Sequence, residues 1–327
     1  MSILTLLVRR GGNGLALLLA VLILNFTLIH IAPGDVADTI AGDMGGADAE
    51  VMAQIRSDYG LDLPFHEQLF AYVARLARGD LGYSFFFNQP VTELLLERLP
   101  ATLLLVISAQ VLAIMLGTVL GVIAARRPNG MLSHGVTIFA LLGFSAPVFW
   151  TGIMLIILFC SIFPIFPVAG MVDVTVEGGW FVKTLDVLYH LFLPMVTLAS
   201  IFLALYSRLA RASMLDVLGT DYVRTAQAKG LSEFQVVYKH ALRNALGPVV
   251  TLAGLQFSGI VSGAVLVETV FSWPGLGTLA FQSITARDAP MVLGILFFSS
   301  LVVIVANLVT DLVYSLIDPR IRIGHRG

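Results

Sequence analysis

Residues 101–125 read ATLLLVISAQVLAIMLGTVLGVIAA, without one charged side chain. A helix rises about 1.5 Å per residue, so this stretch extends about 37 Å, more than the ~30 Å hydrocarbon core of a bilayer. Pro100 bounds it on one side, Arg126 and Arg127 on the other. A surface helix of a soluble domain keeps a polar face, and this one has none. The whole chain agrees. Of its 327 residues, 57% are hydrophobic and 12% charged, with a mean hydropathy of +0.91. Soluble domains carry about 25% charged residues. The fold is read as an all-α membrane protein. The net charge of −2, with no basic patch interleaved with aromatics, points away from a nucleic-acid partner.

Five further stretches are long and apolar enough to span: about 15–32, 135–163, 188–207, 245–267 and 290–309. Six transmembrane helices are therefore expected. Arg9 and Arg10 precede the first, as in a signal peptide, but no clear small-x-small cleavage site follows, so it reads as an uncleaved anchor. Loop charges set the topology. With the N-terminus inside, Arg9, Arg10, Arg126, Arg127, Arg208, Arg211, Arg224, Lys229, Lys239, Arg243, Arg320, Arg322 and Arg326 are cytoplasmic, 13 of 19 basic residues. Arg56, Arg75, Arg78, Arg98, Lys183 and Arg287 lie outside. Positive charge gathers on the cytoplasmic side, so both termini are expected there.

The organisation follows: a tail and first helix (1–32), an outer insert (33–99), a five-helix core (100–317) and a cytoplasmic tail (318–327). In the insert, Phe65, Leu69, Tyr72, Val73 and Leu76 share one helical face, and Gly79 suits a helix stop. The outer loop at about 164–186 is too rich in glycine and proline for one long helix. Another, about 271–288, places Trp273 at a membrane interface and Pro274-Gly275 in a tight turn. Pro147 and Pro194 are expected to bend their spans. Gly117 and Gly121, and Gly259 and Gly263, are spaced for close helix packing.

The long inner loop, about 212–244, reads as two short helices. The first runs from Asp221 to Lys229, and Gly230 ends it, because glycine reaches the left-handed conformation without steric cost. Ser232 and Gln235 form a capping box opening the second. The result is a compact polar knob, either a docking element or a plain helical connector; the pattern leaves both open.

Asp221-Tyr222-Val223-Arg224-Thr225-Ala226-Gln227-Ala228-Lys229-Gly230-Leu231 resembles the coupling loop of ATP-binding-cassette importer permeases. That loop is usually written Glu-Ala-Ala, three residues, Gly; here Arg224, Thr225 and Ala226 fill the first slots, the form of peptide and nickel permeases. Lys239-His240-Ala241-Leu242-Arg243-Asn244 resembles the same branch, with His240 and Arg243 where the general pattern has Ile and Pro. Ala32-Pro33-Gly34-Asp35, Tyr59-Gly60-Leu61-Asp62, Gly79-Asp80-Leu81-Gly82, Leu99-Pro100-Ala101-Thr102, the run from Val267 to Gly277 and Asp318-Pro319-Arg320-Ile321-Arg322 extend the likeness along nearly the whole chain. The chain is identified as similar to the first of two permeases in a dipeptide, oligopeptide or nickel importer.

That resemblance implies the type I importer transmembrane fold with a periplasmic insert after the first helix, in a bacterial inner membrane. It implies a second homologous permease as heterodimer partner, one or two cytoplasmic ATPase subunits, and a periplasmic or lipid-anchored solute-binding protein. ATP is used by the partner. The chain itself has no phosphate-binding glycine loop: Lys183-Thr184 follows Val182 where that loop needs glycine. No cofactor, catalytic residue or metal site is expected on it. The coupling residues implied are Asp221, Arg224, Ala226, Lys229, Gly230, His240 and Arg243. Ala226 would admit the ATPase closely, and spans four and five would follow the knob. Gln110, Glu268 and Asn307 are the polar candidates for the path, with interhelical hydrogen bonding or loop packing the plainer role for each. Asn25 and Asp311 qualify more loosely. A secondary transporter or channel would need embedded charges or an inverted repeat, and an intramembrane enzyme a metal or nucleophile motif; neither pattern is evident. Peptide, nickel, glutathione or another small solute all remain open as cargo.

Overall fold

The computed structural model describes residues 3–31, 62–84 and 86–317, with positions 50, 53, 56 and 57. Backbone alone is described at 3–10, 13, 29, 132, 139, 141, 142, 144, 257–263 and 309–317. Residues 32–35, 59–61 and 318–322, the side chain of Asp311 and the packing of Gly259 and Gly263 lie outside the description. In chain order the elements are α1 (Ile3–Ile31), α2 (Phe65–Ala77), β1 (Tyr83–Ser84), β2 (Gln89–Pro90), α3 (Val91–Arg126), α4 (Met131–Ser145) and α5 (Val148–Ile156). A π-helical segment, Ile157–Ile162, continues α5. Then come α6 (Trp180–Leu218), α7 (Asp221–Ala228), a second π-helical segment (Gln235–Ala241), α8 (Leu242–Leu255), α9 (Phe257–Val270), α10 (Leu276–Thr285) and α11 (Ala289–Ile317).

The molecule is mostly helical. Among the described residues, three helices are long and apolar enough to cross a membrane: Val91–Arg126, Trp180–Leu218 and Ala289–Leu308. Shorter apolar helices cover Gly14–Leu28 and Val148–Ile162. Two stretches expected as single spans are broken. The one at 135–163 stops at Ser145 and restarts after Pro147, which has φ −59° and ψ 135°. Proline has no N–H and pushes the preceding residue out of the α region. The one at 245–267 divides at Gln256. Pro194, by contrast, lies inside an unbroken α6.

The chain divides into two compact units. The first takes residues up to Pro100 and from Gly275 onward. Here α1 packs along α11, and a Cβ on Gly14 would lie 2.9 Å from Ile304 Cγ2. Helix α2 lays Tyr72 and Leu76 against Leu22 and Phe26 of α1, with the Phe26 and Tyr72 rings stacked at 5.3 Å. It ends as its sequence predicts, at Gly79 with φ +79°. The Tyr72 hydroxyl is buried with no hydrogen-bond partner among the described residues, and burial pushes its pKa up to about 12 by disfavouring the phenolate. A two-residue antiparallel pairing, Tyr83 with Pro90 and Ser84 with Gln89, is an element with no sequence expectation behind it. Ser84 Oγ donates to Asp288 Oδ2, while Asp288 Oδ1 accepts from Met291 N–H at 3.2 Å and so caps α11. Val91, Leu94 and Leu95 then meet Leu276, Leu279 and Met291 in a buried cluster. The region 271–288, expected as loop, thus holds the helix α10.

The second unit, Ala101–Pro274, contains the main core. Leu105, Val106, Ala109 and Ala113 of α3 meet Leu198, Phe202 and Tyr206 of α6, and Val249, Val267 and Phe271. Helix α3 and α6 approach closely at two glycines. A Cβ on Gly117 would lie 2.7 Å from Tyr206 Cβ, and one on Gly121 2.6 Å from both Ala210 Cβ and the Ser207 carbonyl oxygen. Neither neighbour is the flexible end of a side chain, so the helices would have to separate. Gly121→Ala is therefore expected to cost about 1–3 kcal/mol through overpacking. A melting curve of the detergent-purified protein measures it. Gly135→Ala, with nothing within 4 Å of its Cβ and in a helix interior where alanine is favoured over glycine, is the control expected not to lower the melting temperature.

Candidate functional site

The first arm of the knob at 221–244 is the short helix its sequence predicts, whereas the second is no separate short helix but a π-helical segment that runs directly into α8. Thr220 precedes α7 in an extended conformation, and Asp221 occupies the first turn, where a carboxylate suits the helix dipole. Helix α7 ends at Ala228, and Gly230 turns the chain at φ +77° with its N–H bonded to Gln227 O at 2.9 Å. The capping box is reciprocal: Ser232 N–H donates to Gln235 Oε1 at 3.3 Å, and Gln235 N–H to Ser232 Oγ at 3.4 Å. The π-helical segment then leads into α8. Such segments recur at functional sites.

The knob has two faces. Val223, Ala226, Val236, Val237, Ala241 and Ala245 form one buried cluster with Val122 and Ala125 of α3 and Met214 of α6. Ala226 therefore faces the chain's own interior and not a docking partner, as its residue type had suggested. The other face is open. Tyr222, Arg224, Lys229, Gly230, Leu231 and Phe234 are exposed, Phe234 to 68%. Arg224 Nη1 lies 3.3 Å from Asp221 Oδ1, and Asn244 Nδ2 donates to the Tyr222 hydroxyl at 2.7 Å. Arg126, at the end of α3, reaches Glu233 Oε1 through Nε at 3.0 Å and Nη2 at 2.8 Å. Asp221, Arg224, Lys229 and Gly230 thus gather on the first arm; half-buried His240 and exposed Arg243 belong to the second. The exposed aromatics Tyr222 and Phe234, the latter with its ring 4.6 Å from that of Tyr238, and the Arg126–Glu233 contact were not anticipated; a Phe two residues after a capping Ser was the available signal.

The polar candidates for the path separate. Glu268 is fully buried and accepts from Thr102 Oγ1 at 2.7 Å. Five residues on, Trp273 is also fully buried, and its Nε1 donates to Ala101 O at 2.9 Å. This corrects the interface position expected for Trp273: its one polar atom has a partner inside the protein. Gln110 is buried too, with Nε2 donating to the Tyr206 hydroxyl at 2.7 Å and to Ala253 O at 3.0 Å. It stands eight residues along α3 from Thr102, about 12 Å, so the two are separate positions. Asn307 is an exposed position of α11 in the other unit. Asn25, on α1, is half-buried.

A third cluster secures the 163–179 loop. Asp186 Oδ1 lies 3.2 Å from His190 Nδ1, and Asp186 Oδ2 accepts from Asp173 N–H at 2.8 Å. The Thr175 N–H and hydroxyl hold the Asp173 carboxyl below the usual carboxylate range. Among the described residues no three His, Cys, Asp or Glu side chains are grouped to hold a metal.

Comparison with known proteins places this arrangement. Residues 117–323 match the family described as binding-protein-dependent transport system inner membrane component, and residues 3–106 its N-terminal companion. The di/tripeptide transport system permease protein DppB of Pseudomonas aeruginosa is 41% identical, over 98% of this chain and 99% of its own. The oligopeptide transport system permease protein AppB of Bacillus subtilis is 38% identical, over 96% and 98%. Among solved structures, the MetNI methionine ABC transporter in inward-facing conformations has a chain with a TM-score of 0.52, 17% identity, and coverage of 69% of this chain and 96% of that one. That last likeness concerns the fold. The chain belongs to the family of binding-protein-dependent inner-membrane transport components, as a permease of the peptide branch of ATP-binding-cassette importers.

The ties at Ala101 and Thr102 are open to test. Trp273→Phe keeps the six-membered ring but loses the pyrrole ring and its N–H donor, leaving a small cavity and an unpaired Ala101 carbonyl, and is expected to cost about 2–4 kcal/mol, read from the melting curve. Glu268→Ala should lower the melting temperature more than Glu268→Gln, which retains an acceptor for Thr102.

Proposed function

We propose that this chain is one of two membrane-spanning subunits of an importer that carries di- or oligopeptides inward, driven by ATP hydrolysis on a separate cytoplasmic subunit. Six spans, a periplasmic insert at 33–99, a core from 100 to 317 and both termini in the cytoplasm complete the reading; the excess of basic residues at the ends and in the knob supports it. The peptide cargo is supported by the names of the relatives. The second permease is a homologous partner, and a periplasmic or lipid-anchored binding protein delivers the cargo.

The observation that carries the mechanism is the two-faced knob. One face is continuous with the ends of α3, α6 and α8. The other offers Tyr222, Phe234 and cationic Arg224 and Lys229 to a partner. ATP-driven closure of the ATPase presses on the exposed face, and the buried face conveys the displacement to three helices. Coupling of this kind needs different contacts in the two states, because equal binding shifts nothing. Asp221, Arg224, Lys229, Gly230, His240 and Arg243 are the coupling residues; Ala226 serves from inside by letting α7 sit close on α8 and its π-helical lead.

Gly230→Asp tests the assignment. Nothing lies within 4 Å of a Cβ built there, so the added carboxylate disturbs no packing within the chain. The left-handed backbone is one that aspartate tolerates better than most residues. The variant is expected to reach the membrane in normal amount while ATP-linked peptide uptake falls about tenfold or more, the equivalent of ~1.4 kcal/mol of lost coupling. Wild-type uptake in this variant would sink the assignment.

A further inference from the structure

The span entered from the knob is two helices, α8 and α9, that meet at Gln256. Each half is held to α3 in a different place. At the outer end, Thr102 and Ala101 of α3 bond Glu268 and Trp273, which flank the end of α9. At the inner end, Val122 and Ala125 of α3 share a buried cluster with Ala241 and Ala245, which bracket the start of α8. Between them lies Gln110. Its Nε2 donates at 3.0 Å to the carbonyl of Ala253, in the last turn of α8. Carbonyls of a last helical turn have no partner within their own helix. In an apolar interior such a group needs a donor from elsewhere.

Gln110 spends the same nitrogen on the Tyr206 hydroxyl of α6, at 2.7 Å. The one amide thus joins three helices beside the break. Its Oε1 is buried and has no hydrogen-bond partner among the described residues. Among the described residues the side chain is held through its donors, and one without N–H groups would leave the Ala253 carbonyl without this bond. A glutamate has the length but not the donors; an asparagine has the donors but is one methylene shorter.

We propose that Gln110 is a positioning residue of the transport cycle: it clamps the break between α8 and α9, so that displacement of the knob is conveyed through α8 to the outer half of the span. The inference rests on the importer reading above. α8 carries the knob and α9 is tied at the outer end of α3, so a force applied to the knob meets its first interruption of helical hydrogen bonding at Gln256. With the clamp in place the two halves move as a coupled pair. Without it, the inner half pivots while the outer half stays with Thr102 and Ala101, and ATP is hydrolysed without transport.

The test uses the complete importer, with ATPase, partner permease and binding protein, reconstituted in liposomes with a dipeptide. The readout is the number of ATP molecules hydrolysed per peptide taken up, beside the melting temperature of the complex. Gln110→Leu is expected to raise that ratio about fivefold or more, because hydrolysis persists while uptake falls. Thr197→Val is the control: among the described residues that buried hydroxyl bonds within its own helix, to Leu193 O at 2.8 Å, and the ratio should stay as in the wild type. If Gln110→Leu does not assemble, Gln110→Asn is read the same way, with the same expected rise. An unchanged ratio in whichever variant assembles overturns the proposal, whether uptake is normal or falls together with hydrolysis; so does an equal rise in Thr197→Val; and if neither Gln110 variant assembles, the residue is structural and the proposal falls. Failure of the importer reading looks different: the wild-type complex then shows no uptake that depends on ATP and binding protein.

Discussion

A main-chain carbonyl in a hydrocarbon surrounding has no water to bond, so every interruption of a helix there must be satisfied by the protein itself. That constraint organises the core of this permease. Where α8 stops, a side-chain amide from α3 reaches Ala253. At the opposite end of that broken span, the Trp273 indole donates to the carbonyl of Ala101. Pro194 sits inside an unbroken α6, whereas Pro147 lies between the end of one helix and the start of another. The break at Gln256 thus falls where a neighbouring helix supplies a donor, and there helices from distant parts of the sequence are fastened together.

The second constraint is proximity. Gly117 and Gly121 bring α3 and α6 close enough that a single methyl would collide with main chain. Such contact replaces the hydrophobic drive that lipid does not supply between helices. It also gives α3 a special place: it touches α6 along its glycines and carries Thr102 and Gln110 toward the span made by α8 and α9. The sequence marked α3 as the least ambiguous span, but its role as the element to which others are tied belongs to three dimensions.

Much of this was legible beforehand. The apolar runs, the helix stop at Gly79, the turn at Gly230 and the Ser232–Gln235 box are local, and local chemistry determines them. The family resemblance identified the knob's register. What escaped was non-local or short. The pairing of Tyr83–Ser84 with Gln89–Pro90 is too brief for any alternation to show. Helix α10 hid in a region announced by Trp-Pro-Gly. Trp273 looked like an interface residue because an indole prefers that depth, yet its partner carbonyl lies 172 positions away. The break at Gln256 has no proline to announce it. Ala226 was read as facing outward because a small residue invites close approach; it does invite it, but from the chain's own helices.

The knob's attachment can be decided by magnitude. The Arg126–Glu233 pair is solvent-exposed, with the two side chains 38% and 69% accessible. Exposed pairs contribute little to stability and weaken with salt. The buried face includes Val122, Met214, Val223, Val236 and Val237, all almost inaccessible. Each such side chain is worth about 1.5–3 kcal/mol on full burial. Five of them outweigh the ion pair severalfold, even after allowance for burial already present in the unfolded chain. The ion pair can therefore orient the second arm of the knob, but it cannot be what makes the knob move with the helices. That rigidity comes from apolar packing, which depends little on charge screening, and it leaves Tyr222, Arg224, Lys229 and Phe234 exposed on the opposite face.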